Sequence, residues 1–515
     1  IMDNIENNKR IAKNTMFLFF RMLFTMFISL FTTRIVLEEL GVIDFGIYNV
    51  VGGIVLMMEF LKSSMSTSIQ RFLSFELGNK NYVRVRETFS MSINIHLIIV
   101  IIIFVLAETI GVWFLNEKLI IPIDRMYAAN WVYQFSILTF IIGILNVSYN
   151  AIIISEEKMK IYAYISIIES FLKLAAVFLL IWTENDNLVM YSGLIFMLSL
   201  VMFVFYIIYC KSNFSSTKYT FRRDNKLFYK LLNYAGWNLF GGLAGVSKGQ
   251  GVNILLNLFF GPTVNAARAI SFQVSGAVNM FVTNFQIAIN PQIIKSYAIE
   301  DKKYMHELIF RGSKFSFYLL YVMSLPILFE TQFVLNIWLT NVPDYTQIFT
   351  RLIILNVLID SLSGTLMTAA QASGKIKKYQ MIIGGLIISI LPFSYFFLQL
   401  DFPPQSTFYV SICISIIALF SRLLLINKLV NVSIKQFLKE VLMRVLLVVG
   451  ISLILPLIFK YQTESSVINF ILLIIISFLS IIYSIYIIGL DNVEKLFIKS
   501  KIADLLILFK KKFSI

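Results

Sequence analysis

The chain has 515 residues, 58% of them hydrophobic and only 14% charged, with a mean hydropathy of +0.80 and a formal net charge of +15. Soluble domains carry about 25% charged residues, so a large soluble domain is excluded and a multi-span integral membrane protein is implied. Two cysteines at or within apolar runs (Cys210, Cys413) and two distant histidines (His96, His306) argue against a disulfide framework, a CxxC site or a His/Cys metal site.

The N-terminus is polar and basic and lacks the short apolar core and small-residue cleavage site of a removable signal. Fourteen apolar runs then reach the roughly 20 residues a membrane helix needs: 14–37, 45–68, 89–114, 128–151, 161–182, 188–210, 234–259, 266–290, 313–338, 347–371, 379–399, 406–427, 441–459 and 467–489. They are too long for membrane strands, which need about 10 residues. With the N-terminus on the cytoplasmic side, 34 of the 44 Lys and Arg residues fall in cytoplasmic segments, four fall outside and six lie within spans. That asymmetry is a positive-inside signal and places both termini in the cytoplasm. It also explains the basic surplus by anionic headgroups rather than nucleic acid. The stretches 218–233, 291–312 and 491–513 mix charged and apolar residues and read as amphipathic helices on the inner leaflet, the last ending in LFKKKFSI.

A weak internal repeat runs at an offset of about 220 residues. LGVIDFGIYNV (40–50) lies over FGPTVNAARAI (260–270), QRFLSFELGNKNYVRVRE (70–87) over NPQIIKSYAIEDKKYMHE (290–307), and KMKIY (158–162) over KIKKY (375–379). The expected organisation is a six-helix lobe at 1–215, a second at 216–430, an additional helix pair at 431–490 and a basic amphipathic tail at 491–515. An even number of helices per lobe gives both the same orientation, related by an axis along the membrane normal. The seventh span is glycine-rich, with Gly at 236, 241, 242, 245, 249 and 251, which suits either close helix packing or a substrate path. No GxxxxGK[ST] phosphate loop is present, so ATP hydrolysis by this chain is not expected.

The opening NKRIAKNTMFLFFRMLFTMFISLFTTRIVLEELGVIDFGIYNVV, the loop QRFLSFELGNKN and the second-half opening YAGWNLFGGLAGVSKGQGVNILLNLFFGPTVNAARAIS resemble bacterial polysaccharide (O-antigen, Wzx-type) flippases. These belong to the multidrug/oligosaccharidyl-lipid/polysaccharide (MOP) exporter superfamily, and the resemblance covers about residues 1–430. It implies two six-helix bundles in a V. It also implies transport of undecaprenyl-pyrophosphate-linked oligosaccharides from the inner to the outer leaflet of the bacterial cytoplasmic membrane, for lipopolysaccharide or another surface polymer. No cofactor is implied beyond coupling to a proton or sodium gradient or to the membrane potential. The implied partners are the lipid-linked oligosaccharide, membrane lipids and polysaccharide polymerase machinery. Flipping makes and breaks no covalent bond, so no enzyme activity is expected. A related lipid II flippase has fourteen helices, a layout that 441–489 matches in position and number.

A pyrophosphate crossing a low-dielectric region needs cations, and intramembrane charge is costly unless it is used or paired. The expected cationic cavity is formed by Arg21, Arg34, Lys62, Lys248 and Arg268, concentrated in helices 1, 2, 7 and 8, which the repeat makes equivalent. Two of these also have a local structural reading: Arg34 lies near an interface with Glu38 four residues on, and Lys62 has Glu59 three residues before it. Outside the set, Lys173 has Glu169 four before it, while Arg21 has no local partner. Glu59 and Asp360 are candidates for ion coupling or pairing in the cavity. The competing reading is a cation-coupled multidrug exporter of the same superfamily, whose site favours acids and aromatics. A major-facilitator transporter is disfavoured because the loop after the second span lacks a GxxxDRxGR pattern. A membrane glycosyltransferase is disfavoured by the short external connections.

Overall fold

The computed structural model describes residues 2–56, 58–117, 121–180, 186–221, 224–339, 342–492 and 494–496, which are helical almost throughout with no strand among them. The principal helices are α1 (Met2–Leu56), α2 (Glu59–Gly78), α3 (Tyr82–Leu106), α4 (Met126–Ser155), α5 (Met159–Leu180), α6 (Asn187–Asn213), α7 (Asn225–Val246), α8 (Val252–Phe260) and α9 (Pro262–Ala298). They continue with α10 (Lys302–Phe329), α11 (Thr346–Ser361), α12 (Gly364–Ser373), α13 (Lys377–Ile388), α14 (Ile390–Gln399), α15 (Ser406–Val430), α16 (Arg444–Ser452), α17 (Ile454–Gln462) and α18 (Val467–Ser484). The expected amphipathic tail lies almost wholly outside the described residues.

Among the described residues eleven helices are long and apolar enough to cross a membrane, against the fourteen spans expected. The other three, 45–68, 234–259 and 266–290, are interrupted or polar. The first is divided between α1, which ends at Leu56, and α2, which begins at Glu59, and the second carries a π-helical turn at Ser247–Gly251. The third lies inside the 37-residue α9, whose sequence includes Arg268, Gln273, Asn279, Asn284, Gln286 and Asn290. A helix with that many polar groups serves a protein interior or a hydrated surface better than lipid.

The repeat is written in the backbone. Gly41 interrupts α1 at φ 71, ψ 170, and Gly261 ends α8 at φ 77, ψ −171, at the point where the two copies align. This region of φ/ψ space is open to glycine alone. Lys80 and Glu300, again 220 residues apart, both sit at positive φ after α2 and α9. The next residue caps the following helix in each copy: Asn81 Oδ1 accepts from the Arg84 amide at 3.1 Å, and Asp301 Oδ1 from the Tyr304 amide at 3.0 Å. Glu157 and Gly374, before KMKIY and KIKKY, form a third left-handed pair.

The chain divides into two compact units. The first comprises 1–250, 283–308 and 367–389; the second comprises 251–282, 309–366 and 390–515. The first unit is built around α4, whose Tyr133, Ile137, Ile144 and Ile152 are fully enclosed by α2, α3, α6 and their neighbours. Here α7 and α13 join α2 through Asn238, which donates to Ser68 Oγ at 2.9 Å and accepts from Gln380 Nε2 at 3.0 Å. Gly241 and Gly242 give close approach: a Cβ at the first would collide with the Gln380 amide, and at the second would meet Ser64 Oγ at 3.1 Å. In the second unit α11 and α15 pack through Phe349 and Phe408, with ring centroids 4.6 Å apart.

Candidate functional site

The first unit contains a cavity of about 780 Å³, within the size range of ligand pockets. Four helices present polar stripes to it at helical spacing. The start of α2 supplies Glu59, Lys62, Ser63 and Ser66; α4 supplies Ser136, Thr139, Gly143, Asn146 and Asn150; α5 supplies Glu169 and Lys173; and α6 supplies Ser192, Ser199 and Tyr206. Tyr48 and Gly52 of α1 also line it, and Phe135, Phe140, Ile142, Val147, Ile195 and Met202 give the rest of the wall an apolar surface. Inside otherwise apolar helices, such stripes place amides and hydroxyls on one face, as 3.6-residue periodicity requires.

The charges in this cavity balance. Lys62 Nζ lies 2.9 Å from Glu59 Oε1, and Lys173 Nζ lies 2.7 Å from Glu169 Oε1. All four side chains are a third to a half exposed, so the pairs meet solvent and hold little energy. Lys62 crosses α4 at Gly143, where a Cβ would stand 3.6 Å from its Nζ. The side-chain carbonyl oxygens of Asn146 and Asn150 have no hydrogen-bond partner within the protein. Both oxygens are buried, so the cavity is lined by hydroxyls, amide-bearing side chains and two self-neutralised ion pairs.

The predicted site residues are distributed over both units. Lys62 and Glu59 line the cavity, together with the Lys173–Glu169 pair that helical spacing alone makes self-contained. Arg21 is not among the lining residues: its Nη2 donates to Asn284 Oδ1 at 2.7 Å and its guanidinium lies 4.7 Å from the centre of the Tyr162 ring. Lys248 lies in the π-turn Ser247–Gly251, half-buried. In the second unit Arg268 is buried, with Nη1 3.4 Å from Asn253 Oδ1 and its guanidinium 4.3 Å from the centre of the Phe272 ring. There too Asp360 accepts from Asn356 Nδ2 at 2.8 Å. The side chain of Arg34 lies outside the described residues. Among the described residues no group of three His, Cys, Asp or Glu is placed to hold a metal ion. The neutral half of the lining was missed because attention to ionisable residues passes over the α4 stripe. Its spacing of i, i+3, i+7, i+10 and i+14 was nevertheless present in the sequence.

No family model matches the chain, and no curated protein matches it. Solved structures do. The crystal structure of a MATE point mutant gives a TM-score of 0.69 at 12% identity, covering 81% of this chain and 97% of that one. An outward-facing multidrug resistance MATE family transporter of the MOP superfamily gives 0.69 at 11%, covering 82% and 96%. A MOP superfamily transporter from Pyrococcus furiosus, described as having a binding pocket of reverse polarity that suggests a different function, gives 0.65 at 11%, covering 82% and 96%. At such identities the likeness concerns the fold, and the fold is that of the MATE transporters of the MOP superfamily.

Proposed function

We propose that this chain is a flippase for lipid-linked oligosaccharides, working by alternating access, with the cavity of the first unit receiving part of the saccharide headgroup. The observation that carries this reading is the lining of that cavity. Hydroxyl and amide side chains and paired charges suit a polyhydroxylated ligand, which both donates and accepts hydrogen bonds. The resemblance of the N-terminal and second-half openings to polysaccharide flippases points the same way. Within the first unit, Lys62 and Lys248 are the proposed contacts for the pyrophosphate, and Glu59 the proposed group for ion coupling. A dinegative headgroup moving outward across an inside-negative potential gains about 2.3 kcal/mol per charge per 100 mV, a drive that needs no ATPase.

The second reading is export of organic cations. It is favoured by the two carboxylates in the cavity, Glu59 and Glu169, and by the multidrug description of a protein sharing the fold. The test is made in the native cell by depleting the protein and labelling the sugars. Flipping predicts that undecaprenyl-pyrophosphate-linked units accumulate in the inner leaflet. Wild type clears them, and an Asn146→Leu/Asn150→Leu variant at equal expression clears them at least about tenfold more slowly, since unmet polar groups on the ligand are costly. Unchanged lipid-linked sugars together with new sensitivity to cationic dyes would select the second reading.

A further inference from the structure

On the side of the first unit that carries the basic loops, α1 and α9 meet along matched faces. Arg10, Asn14, Leu18 and Arg21 follow each other at i, i+4, i+8 and i+11. Asn284, Ala288, Gln292 and Lys295 repeat that spacing, and the two rows run antiparallel, with Arg21 bonded to Asn284 and Arg10 and Lys295 meeting at Glu157. The two rows join through Glu157, in the turn between α4 and α5. Its carboxylate is almost fully enclosed and accepts from Arg10 Nε at 2.8 Å, Gln292 Nε2 at 2.6 Å and Lys295 Nζ at 2.5 Å, while its backbone oxygen accepts from Asn14 Nδ2 at 3.3 Å. Deeper in, Leu18 and Ala288 pack with Ile154 and Met159, and Arg21 bonds to Asn284.

The repeat produces a counterpart. The turn equivalent to Glu157 is that of Gly374, between α12 and α13. Arg71, near the end of α2, is buried there and donates to the oxygens of Gln371 at 3.1 Å and Ala372 at 2.8 Å. A Cβ at Gly374 would stand 2.8 Å from Arg71 Nη2. Tyr234, at the position equivalent to Asn14, donates to the Gln371 oxygen at 3.1 Å. Thus the end of α9 grips a turn of the first sequence half, and the end of α2 grips the matching turn of the second. Between the two grips α2 and α9 touch directly: a Cβ at Gly78 would lie 2.9 Å from Ala298 Cβ.

We propose that these two grips, Glu157 with Gln292, Lys295 and Arg10, and Arg71 with the 371–374 turn, form a paired latch that holds the basic-loop side shut and must release before a ligand can enter from the cytoplasm. The proposal rests on the transporter reading and adds the residues that control one of its gates. A buried carboxylate shared by three donors from two helices is costly to break singly, as is a buried guanidinium held by two backbone oxygens, and the two grips, related by the repeat, each tie one half of the sequence to the other.

The experiment reads the seam by thiol labelling. In a Cys210→Ala/Cys413→Ser background, Leu18→Cys reports opening and Ile152→Cys, in the core of the unit, reports unfolding; both positions are fully buried. A membrane-impermeant maleimide is added to inside-out vesicles. Glu157→Gln and Arg71→Gln should each label Leu18→Cys at least about tenfold faster than the parent, a shift of the closed–open equilibrium, with Ile152→Cys still protected. Unchanged labelling in both variants, or acceleration only in right-side-out vesicles, would overturn the latch. If Glu157→Gln also exposes Ile152→Cys, Lys295→Gln takes its place, because it leaves the carboxylate paired with Arg10; an unchanged rate there has the same meaning. Labelling requires no substrate, so a seam that opens as stated in a chain that moves no lipid-linked sugar overturns the function and leaves the latch standing.

Discussion

Arg125 shows how one residue organises a loop region that no local pattern announces. Its Nε lies 2.8 Å from Asp44 Oδ1 and its Nη1 2.7 Å from Asp186 Oδ2, with Nη2 also contacting both carboxylates. Asp186 caps α6 as well, accepting from the Leu188 and Val189 amides. Partial burial pushes the Asp186 carboxyl up, but the hydrogen bonds from Arg125 and these amides outweigh it and hold it below the usual carboxylate range. A depressed carboxylate stabilises the fold above its unfolded value of about 3.9 and loses that contribution as the pH falls through the folded value. The thermal midpoint should therefore be flat from about pH 7 to 5 and fall below about pH 4. Arg125→Gln should lower it at neutral pH, by about 1–2 kcal/mol of stability, and flatten the acid limb. Parallel pH curves for the two proteins would contradict this account. Ion pairs within one helix, such as Glu59–Lys62 and Glu169–Lys173, were legible because spacing alone creates them. Arg125 with Asp44, Arg21 with Asn284 and Glu157 with Lys295 were not, because only tertiary structure brings such distant positions together.

The elements follow the sequence most faithfully where the repeat is strongest. LGV and FGP read as a modest match of letters, yet the two glycines share one backbone conformation that no other residue adopts comfortably. A Cβ at Gly41 or Gly261 would meet nothing within 4 Å, so the requirement is backbone conformation and not space. Gly41→Ala and Gly261→Ala should each cost about 1–3 kcal/mol. Gly245→Ala, at a helical glycine whose surroundings are equally open, should be neutral or slightly stabilising. Thermal unfolding in detergent checks the contrast, and equal midpoints for the three variants would refute it. The glycine-rich seventh span resolves into separate causes in the same way. Gly241, Gly242 and Gly251 sit where a Cβ would be tight, whereas Gly236, Gly245 and Gly249 face open space. Sequence could count these glycines but not sort them, because the sorting depends on which neighbour packs there.

At the scale of the molecule, the cationic spans that motivated a single site fall in both units: Lys62, Arg21 and Lys248 in the first, Arg268 in the second. Fold class was legible because apolar length is a property of single segments; the grouping of charges was not, because it depends on packing. The C-terminal helices illustrate the gain. Sequence set 441–489 apart as lying outside the repeat, and the second unit fastens it to α10 at three levels. Glu330, just past the end of α10, binds Lys460 and Ser465. Tyr321 pairs with Ser452 Oγ at 3.1 Å, and Ser480 with the Ser452 oxygen at 2.9 Å. Beyond α18, Glu494 meets Lys314 at 2.8 Å and Arg311 at 3.4 Å. Lys314 is 3% exposed, so removing its anion strands a buried charge. Glu494→Gln should cost about 3–5 kcal/mol, whereas Lys314→Met combined with Glu494→Leu should return close to the parent, because two apolar side chains replace a buried pair at little cost. Thermal unfolding of the single and double variants separates the cases. If the double variant is no more stable than the single, Glu494 acts chiefly through Arg311 and the Asp491 amide it also binds; if it recovers, the Lys314 pair is the fastening that joins the last helices to α10.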